Sequence, residues 1–218
     1  MTPTLALSIL FAAVSLVHLY ACFTGRNKLR TVTKPMLMPL LAALYLVSAA
    51  EPHFIVAAAL LFGAVGDVFL LLPDNPVWLV TGGASFGLGH ILYVAAFFLY
   101  ADAAKLPAYG IALILAFFIA AAAIGFTRLK PTVPQKLRGP VLFYMLILCA
   151  MGAAATVSFF VEALARRALF PLGAILFLLS DAVLAHFLFV RESERKNFAV
   201  MATYIAAQTL IAAGFIMV

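Results

Sequence analysis

The sequence predicts an all-α fold, a polytopic membrane bundle of eight transmembrane helices, and three observations carry this prediction. The 218 residues are 67% hydrophobic and only 10% charged, far from the balance of a water-soluble domain. The charged residues cluster in short segments between long apolar runs. Each run has about the 20 residues that a helix needs to cross a bilayer. We expect residues 1–218 to form a single membrane domain.

Polar interruptions divide the sequence into eight candidate spans, whose ends are defined only to within a few residues. The second span is the weakest because it is short and contains Pro39, although neighbouring helices can satisfy the carbonyl group that this proline frees. The predicted spans are Leu5 to Phe23, Pro35 to Ala50, Phe54 to Leu72, Trp78 to Tyr100, Ala108 to Thr127, Gly139 to Val161, Ala168 to Val190 and Phe198 to Val218.

The positive charges between the spans predict the orientation of the bundle. Eleven Lys and Arg residues follow spans one, three, five and seven, whereas three follow the other spans. Because cytoplasmic loops carry the excess of Lys and Arg, we expect both termini outside, in the inner membrane of a bacterium. No basic segment precedes the first span, as it would in a signal peptide. The net charge of +6 is therefore a topology signal and does not indicate nucleic-acid binding.

Two aspartates lie inside apolar spans, where a charged carboxylate costs about 3 kcal/mol on insertion scales. Asp67 in span three and Asp181 in span seven share the pattern small-Asp-x-x-Leu. Either the chain contains two parallel four-helix halves, or five residues match by chance. Similar depths predict a shared site in the cytoplasmic half, with one carboxyl group as acid and the other as base. Alternatively, each aspartate only holds helices together.

Span four is the other unusual element because it is rich in glycine. Gly83 and Gly87 form a G-x-x-x-G step, which predicts the close approach of another backbone. His90 and Tyr93 follow at helical spacing and are expected to point together near the middle of the membrane. They are either part of the site or structural hydrogen-bonding residues.

The remaining histidines and the two cysteines are weaker candidates. His53 lies in an outer turn, His186 lies near the inner interface, and His18 lies in the inner half of span one. Neither they nor Cys22 and Cys149 show the local spacing of metal ligands, so we expect no metal and no cofactor.

Two cations are placed where they could bind a lipid phosphate. Lys34 and Arg138 each lie beside a proline-started span, where free backbone N–H groups and the helix dipole also attract anions. In the last span, Tyr204 and Gln208 are four residues apart and give a polar face within the bilayer. The other inner cations are explained by topology and by contact with anionic lipids.

Six short motifs occur in a fixed order over nearly the whole chain, and together they resemble the YhhN-like membrane proteins, which include lysoplasmalogenases. Each motif alone is weak, but the ordered set in an eight-span chain is fairly specific. The motifs are Thr33-Lys34-Pro35, Gly66-Asp67 followed by leucines, Phe86-x-x-x-His90-x-x-Tyr93, Pro140-x-x-x-Tyr144, Ser180-Asp181 and Tyr204-x-x-x-Gln208.

The resemblance implies an integral membrane hydrolase whose substrate is a lysophospholipid or another ether lipid. Lysoplasmalogenases cleave the vinyl ether of lysoplasmalogens to a fatty aldehyde and glycerophosphoethanolamine or glycerophosphocholine. An acid must protonate the alkenyl carbon, and a base must activate water, as paired carboxyl groups do at glycosidic bonds. The expected catalytic residues are Asp67, Asp181, His90 and Tyr93, and the expected substrate-binding residues are Lys34, Arg138, Tyr144, Tyr204 and Gln208.

Two other classes of function remain open at this point. Paired membrane acids and a parallel repeat also fit a small proton-coupled transporter, for which ion-dependent uptake without product formation would be diagnostic. In a lipid-binding or assembly subunit the aspartates would affect folding and not turnover. The lipid substrate, the head-group preference and the oligomeric state stay open.

Overall fold

The computed structural model describes residues 2–73, 75–99, 105–161, 165–190 and 196–217. Within these ranges the chain forms eight α-helices and no strand, which confirms the all-α membrane bundle. Seven helices are long and apolar enough to cross a membrane, and the third is a shorter apolar helix. The helices are α1 (Pro3–Phe23), α2 (Asn27–Ser48), α3 (Phe54–Phe69), α4 (Pro76–Leu99), α5 (Ala108–Leu129), α6 (Arg138–Val161), α7 (Leu169–Phe189) and α8 (Lys196–Met217).

The second helix differs most from its predicted span. α2 begins at Asn27 and not at Pro35, so both Pro35 and Pro39 lie inside a helix of 22 residues. The sequence pattern predicted that Pro35 lies in the first turn of the helix, a position that proline favours. Lys34 therefore lies inside α2, and the prediction that it sits at a helix N-terminus is wrong. Arg138 is the first residue of α6, as predicted to within one residue.

The third helix is shorter than its predicted span because it ends at Phe69 and not at Leu72. Asp67 consequently lies two residues before the helix end, closer to it than the sequence indicated. Tyr100 and Val218, the predicted ends of spans four and eight, lie outside the described residues, as do Arg191 and Arg195.

The helices pack in the same order in the two halves of the chain. α1 packs against α2, α2 against α3, and α3 against α4, and the corresponding pairs α5–α6, α6–α7 and α7–α8 also pack. Between the halves, α4 packs against α6, and α8 packs against α1 and α2. α5 packs mainly on α6. Consecutive helices pack in this way in any bundle with short connections, so the two parallel four-helix halves stay a prediction.

Glycines let α3 and α4 approach closely, but not at the predicted positions. A Cβ atom on Gly89 would lie 2.9 Å from the carbonyl oxygen of Ala59 in α3. In contrast, a Cβ on Gly83 would meet nothing within 4 Å, and one on Gly87 would lie 3.5 Å from the Ile147 side chain. The prediction that Gly83 and Gly87 let another backbone approach closely is wrong, because Gly83 faces open space and Gly87 meets only side chains of α6 at ordinary contact distance.

The half of the bundle that contains the α4 C-terminus has a packed aromatic core. The Phe97 and Phe215 rings stack with centroids 5.2 Å apart, and Phe170 lies 4.6 Å from Phe215. Tyr93 stacks on Phe215 at 6.3 Å. The opposite half ends at the connections α1–α2 and α5–α6, and these connections together with the adjoining helix ends carry most of the described cations. We call this the basic end of the bundle, and the internal space of the protein lies on this side.

Candidate functional site

A cavity of about 1260 Å³ occupies the half of the bundle next to the basic end. This volume exceeds that of most small-molecule pockets. Near the basic end its wall contains charged side chains, whereas the deeper wall is formed by apolar side chains of α4, α6 and α7. The charged residues on the wall are Arg30, Lys34, Asp67, Arg128 and Asp181. The deeper wall includes Leu88, Ile91, Leu148 and Leu178.

The first carboxyl group of the site is held by an ion pair between α2 and α3. The Lys34 ammonium nitrogen lies 3.1 Å from Asp67 Oδ1, with side-chain exposures of 12% and 3%. A partner of opposite charge lowers the cost of holding a carboxylate in a membrane interior. The second oxygen, Asp67 Oδ2, is buried and has no hydrogen-bond partner among the described residues.

The second carboxyl group is held by an uncharged partner. The Tyr144 hydroxyl donates a short hydrogen bond to Asp181 Oδ2 and lies 3.2 Å from His90 Nε2. Because the phenol gives its single proton to Asp181, we infer that His90 donates from Nε2. His90 Nδ1 is buried without a partner within the described ranges. Asp181 itself is half-buried on the cavity wall.

A second polar chain leads from α4 to Asp67 through α8. The Tyr93 hydroxyl donates to Gln208 Oε1 at 2.7 Å. The Gln208 amide nitrogen and the Tyr204 hydroxyl converge near Gly63, where a Cβ atom would lie 3.6 Å and 3.2 Å from them. The Tyr204 hydroxyl also adjoins the Asp67 carboxyl group. Tyr204 and Gln208 therefore share a polar face, as their spacing predicted.

Both halves of the chain contribute residues to the surroundings of each aspartate. Asp67 is held by α2 of its own half and approached by α8 of the other half. Asp181 is held by α6 of its own half, and that contact extends to α4 of the other half. The two carboxyl groups are close enough to interact electrostatically. The aspartates that the sequence singled out thus lie on one cavity, and their catalytic roles stay a prediction.

The other predicted residues fall into two groups. Lys34, Tyr144 and Tyr204 line the cavity beside the aspartates. His90, Tyr93 and Gln208 are buried behind the wall. His90 reaches the wall through its hydrogen bond with Tyr144, whereas Tyr93 and Gln208 hydrogen-bond to each other.

Arg138 is the exception, since it is not among the described residues that line the cavity. Its Nε donates to the Val133 carbonyl oxygen at 3.2 Å. Arg30 and Arg128 line the cavity but were not predicted from the sequence as site residues. One signal for Arg30 was available, because it lies four residues before Lys34 on the same helix.

The remaining histidines lie apart from the two carboxyl groups. His18 Nδ1 is 2.8 Å from the Thr33 hydroxyl, and its Nε2 is 3.4 Å from the Cys22 sulfur, so it links α1 to α2. The His53 backbone N–H donates to the Tyr45 hydroxyl at 2.9 Å. His186 is exposed and lines the basic end of the cavity. In the described part of the chain no three His, Cys, Asp or Glu side chains are placed to hold a metal ion.

The bundle and its acid-lined cavity define an integral membrane protein whose two cavity-lining carboxyl groups belong to apolar helices. In a comparison with protein-family models, residues 29–215 match the YhhN family. Because this match covers most of the sequence, the chain belongs to the YhhN family, and the resemblance seen in its motifs is confirmed. Neither a curated protein nor a solved structure matches the chain.

Proposed function

We propose that this protein is a membrane hydrolase that cleaves the vinyl ether of lysoplasmalogens. The products are a fatty aldehyde and glycerophosphoethanolamine or glycerophosphocholine. Membership of the YhhN family is consistent with this activity. The observation that carries the proposal is the order of chemical groups along the cavity, in which charged side chains next to the basic end are followed by a deeper wall that is mainly apolar.

This order corresponds to the order of groups in a lysoplasmalogen. Arg30 lies one helical turn, about 6 Å, closer to the basic end than Lys34, which pairs with Asp67. Asp181 lies eight residues, about 12 Å, from the end of α7. Ile91 lies fifteen residues, about 22 Å, from the start of α4. A lipid with its phosphate at the cations and its chain in the apolar part would bring its ether bond to the carboxyl groups.

Their different partners suggest which aspartate is the acid. Lys34 favours the charged form of Asp67, so Asp67 serves as the base. Asp181 has the neutral Tyr144 as its partner, so Asp181 carries the proton to be donated. His90 and Tyr93 are positioning residues, because they act on the carboxyl groups through Tyr144 on one side and through Gln208 and Tyr204 on the other.

The reaction then needs no group beyond the two carboxyl groups and one water molecule. Asp181 gives its proton to the alkenyl carbon β to the ether oxygen, and the double-bond electrons form the new C–H bond. The ether oxygen shares its lone pair with the adjacent carbon, which becomes an oxocarbenium ion. Water adds to that carbon as Asp67 accepts a water proton. The hemiacetal then separates into aldehyde and a glycerol hydroxyl, because Asp67 gives this proton to the ether oxygen and Asp181 accepts the hemiacetal hydroxyl proton, which restores both carboxyl groups.

Mass spectrometry of lipid products tests this proposal. The protein, purified in a maltoside detergent, is incubated in parallel with 1-alkenyl, 1-alkyl and 1-acyl lysophosphatidylethanolamine. We expect aldehyde and glycerophosphoethanolamine from the alkenyl lipid alone. Fatty acid release from the acyl lipid, or turnover of none of the three, would contradict the proposal.

The cavity predicts that a side chain added to its wall blocks turnover. Gly83 lines the cavity, and a Cβ atom added there meets no neighbour within 4 Å, so Gly83→Leu places its side chain in the cavity. Gly83 lies seven residues, about 10 Å, from the start of α4, near the level of Asp181, so we expect kcat/KM to fall at least about tenfold for long-chain and short-chain alkenyl substrates alike. Gly139→Leu is the matched control, because Gly139 also faces open space but lies outside the described cavity wall. Wild-type turnover by Gly83→Leu would contradict this use of the cavity.

We also propose that the basic end of the bundle faces the cytoplasm and that both termini lie outside, in a bacterial inner membrane. The excess of Lys and Arg in the connections at that end supports this orientation. A protease added to spheroplasts should then remove an epitope tag from the N-terminus while the membrane is intact. Removal only after the membrane has been opened would reverse the orientation.

A further inference from the structure

Two arginines line the cavity at its basic end, and neither was among the predicted site residues. Arg30 lies on α2, four residues before Lys34, so both side chains belong to the same helix face. Arg128 lies on α5 in the last turn, on the face that also brings Ala121 and Gly125 to the cavity wall. The two cations therefore approach the same space from different helices.

The cations expected to bind phosphate are engaged elsewhere. Lys34 is neutralised by Asp67 at 3.1 Å. Arg138 donates to the Val133 carbonyl oxygen and does not belong to the described cavity wall. Arg26, one of the inner cations explained by topology, lies over the ring of Tyr20, 5.2 Å from its centroid. These contacts leave a different pair of cations to meet an anion inside the cavity.

Arg30 has an unused donor within the protein. Its Nε atom is buried and has no hydrogen-bond partner among the described residues, although a buried polar atom normally has one. The planar guanidinium group presents several N–H donors in a geometry that suits phosphate oxygens. An anion at the basic end of the cavity would satisfy this donor.

We propose that Arg30 and Arg128 form the subsite for the phosphate group of a single-chain phospholipid, which enters the cavity chain first. This assignment rests on the proposed function for the identity of the lipid. Arg30 lies about 6 Å from the level of the Lys34–Asp67 pair, on the side of the basic end. This separation is about the length of the glycerol unit that joins the phosphate to the ether oxygen.

A binding experiment with a lipid that cannot be cleaved separates this inference from the proposed reaction. The probe is 1-alkyl lysophosphatidylethanolamine, which has the phosphate head group and lacks the vinyl ether, and the comparison lipid is phosphate-free 1-alkylglycerol. In maltoside detergent we expect Arg30→Gln and Arg128→Gln each to weaken binding of the phospholipid about tenfold. Binding of 1-alkylglycerol should stay unchanged, and Arg30→Lys should recover part of the loss because it keeps the charge.

Lys130→Gln is the matched control, because it removes a positive charge two residues beyond Arg128 from an exposed side chain outside the described wall. An equal loss of phospholipid binding in this variant would mean that general surface charge causes the effect, and it would overturn the subsite. So would equal losses for both lipids, or displacement of the phospholipid by inorganic phosphate at the same concentration. If the wild-type protein binds the alkyl phospholipid through both arginines yet cleaves no alkenyl lipid, the subsite stands and the proposed reaction fails.

Discussion

Asp181→Asn protein is expected to remain folded and to lose vinyl ether hydrolysis by about 10³-fold in kcat, the middle of the usual range for general acid catalysis. The amide oxygen of asparagine can still accept the hydrogen bond from Tyr144, so the packing of α6 against α7 is preserved. The amide cannot supply the proton that the alkenyl carbon needs. Product formation by mass spectrometry gives the rate, and the thermal unfolding temperature in detergent reports the fold.

Glu51→Gln provides the matched control for this substitution. It makes the same change of carboxyl to amide at an exposed residue between α2 and α3, at the end of the bundle away from the cavity. We expect full activity from this variant. An Asp181→Asn protein with wild-type turnover would remove Asp181 from the chemistry, and one that is inactive because it has unfolded would favour a structural role for the aspartate.

Lys34→Met is expected to destabilise the protein by about 3 kcal/mol, near the lower end of the range for a broken buried ion pair. The loss is large because Asp67 has only 3% side-chain exposure and its second oxygen already lacks a partner within the described ranges. Asp67→Asn should cost less, since the Lys34 side chain is 12% exposed and its charge can be solvated in the cavity. Both substitutions remove turnover in the proposed mechanism.

The double variant Lys34→Met/Asp67→Asn separates the ion pair from the packing. Because it removes both charges, it should unfold at a higher temperature than Lys34→Met alone, with a coupling energy that a double-mutant cycle measures. Additive losses in the double variant would mean that the ion pair contributes nothing to stability. Activity should stay lost in the double variant, since restoring stability does not restore the base.

Much of the fold follows from hydrophobicity and charge alone. Long apolar runs must form helices in a bilayer because every backbone group needs an internal partner, and this constraint leads directly to the eight helices. The boundary at Pro35 was wrong because proline is common both at the first turn of a helix and inside membrane helices. Local sequence does not distinguish these two positions.

The candidate site was predictable where a residue is costly to place in a membrane. Asp67 and Asp181 were singled out on that ground, and they lie on one cavity. The packing at the α4 glycines was harder to predict, because a G-x-x-x-G spacing allows close packing without requiring it. In this structure Gly83 faces open space. Arg128 was missed because a cation at the end of a span is explained equally well by membrane topology, and only the packing of α5 brings it to the cavity.

Hydrolysis in D₂O tests whether a carboxyl group of this cavity protonates the alkenyl carbon of a vinyl ether. The aldehyde should be reduced with borohydride as it forms, so that later exchange does not alter its isotope content. We expect one deuterium on the carbon next to the former carbonyl group in the product of the wild-type protein, and essentially no product from Asp181→Asn. Aldehyde formed without deuterium at that carbon would contradict protonation of the alkenyl carbon and, with it, the mechanism.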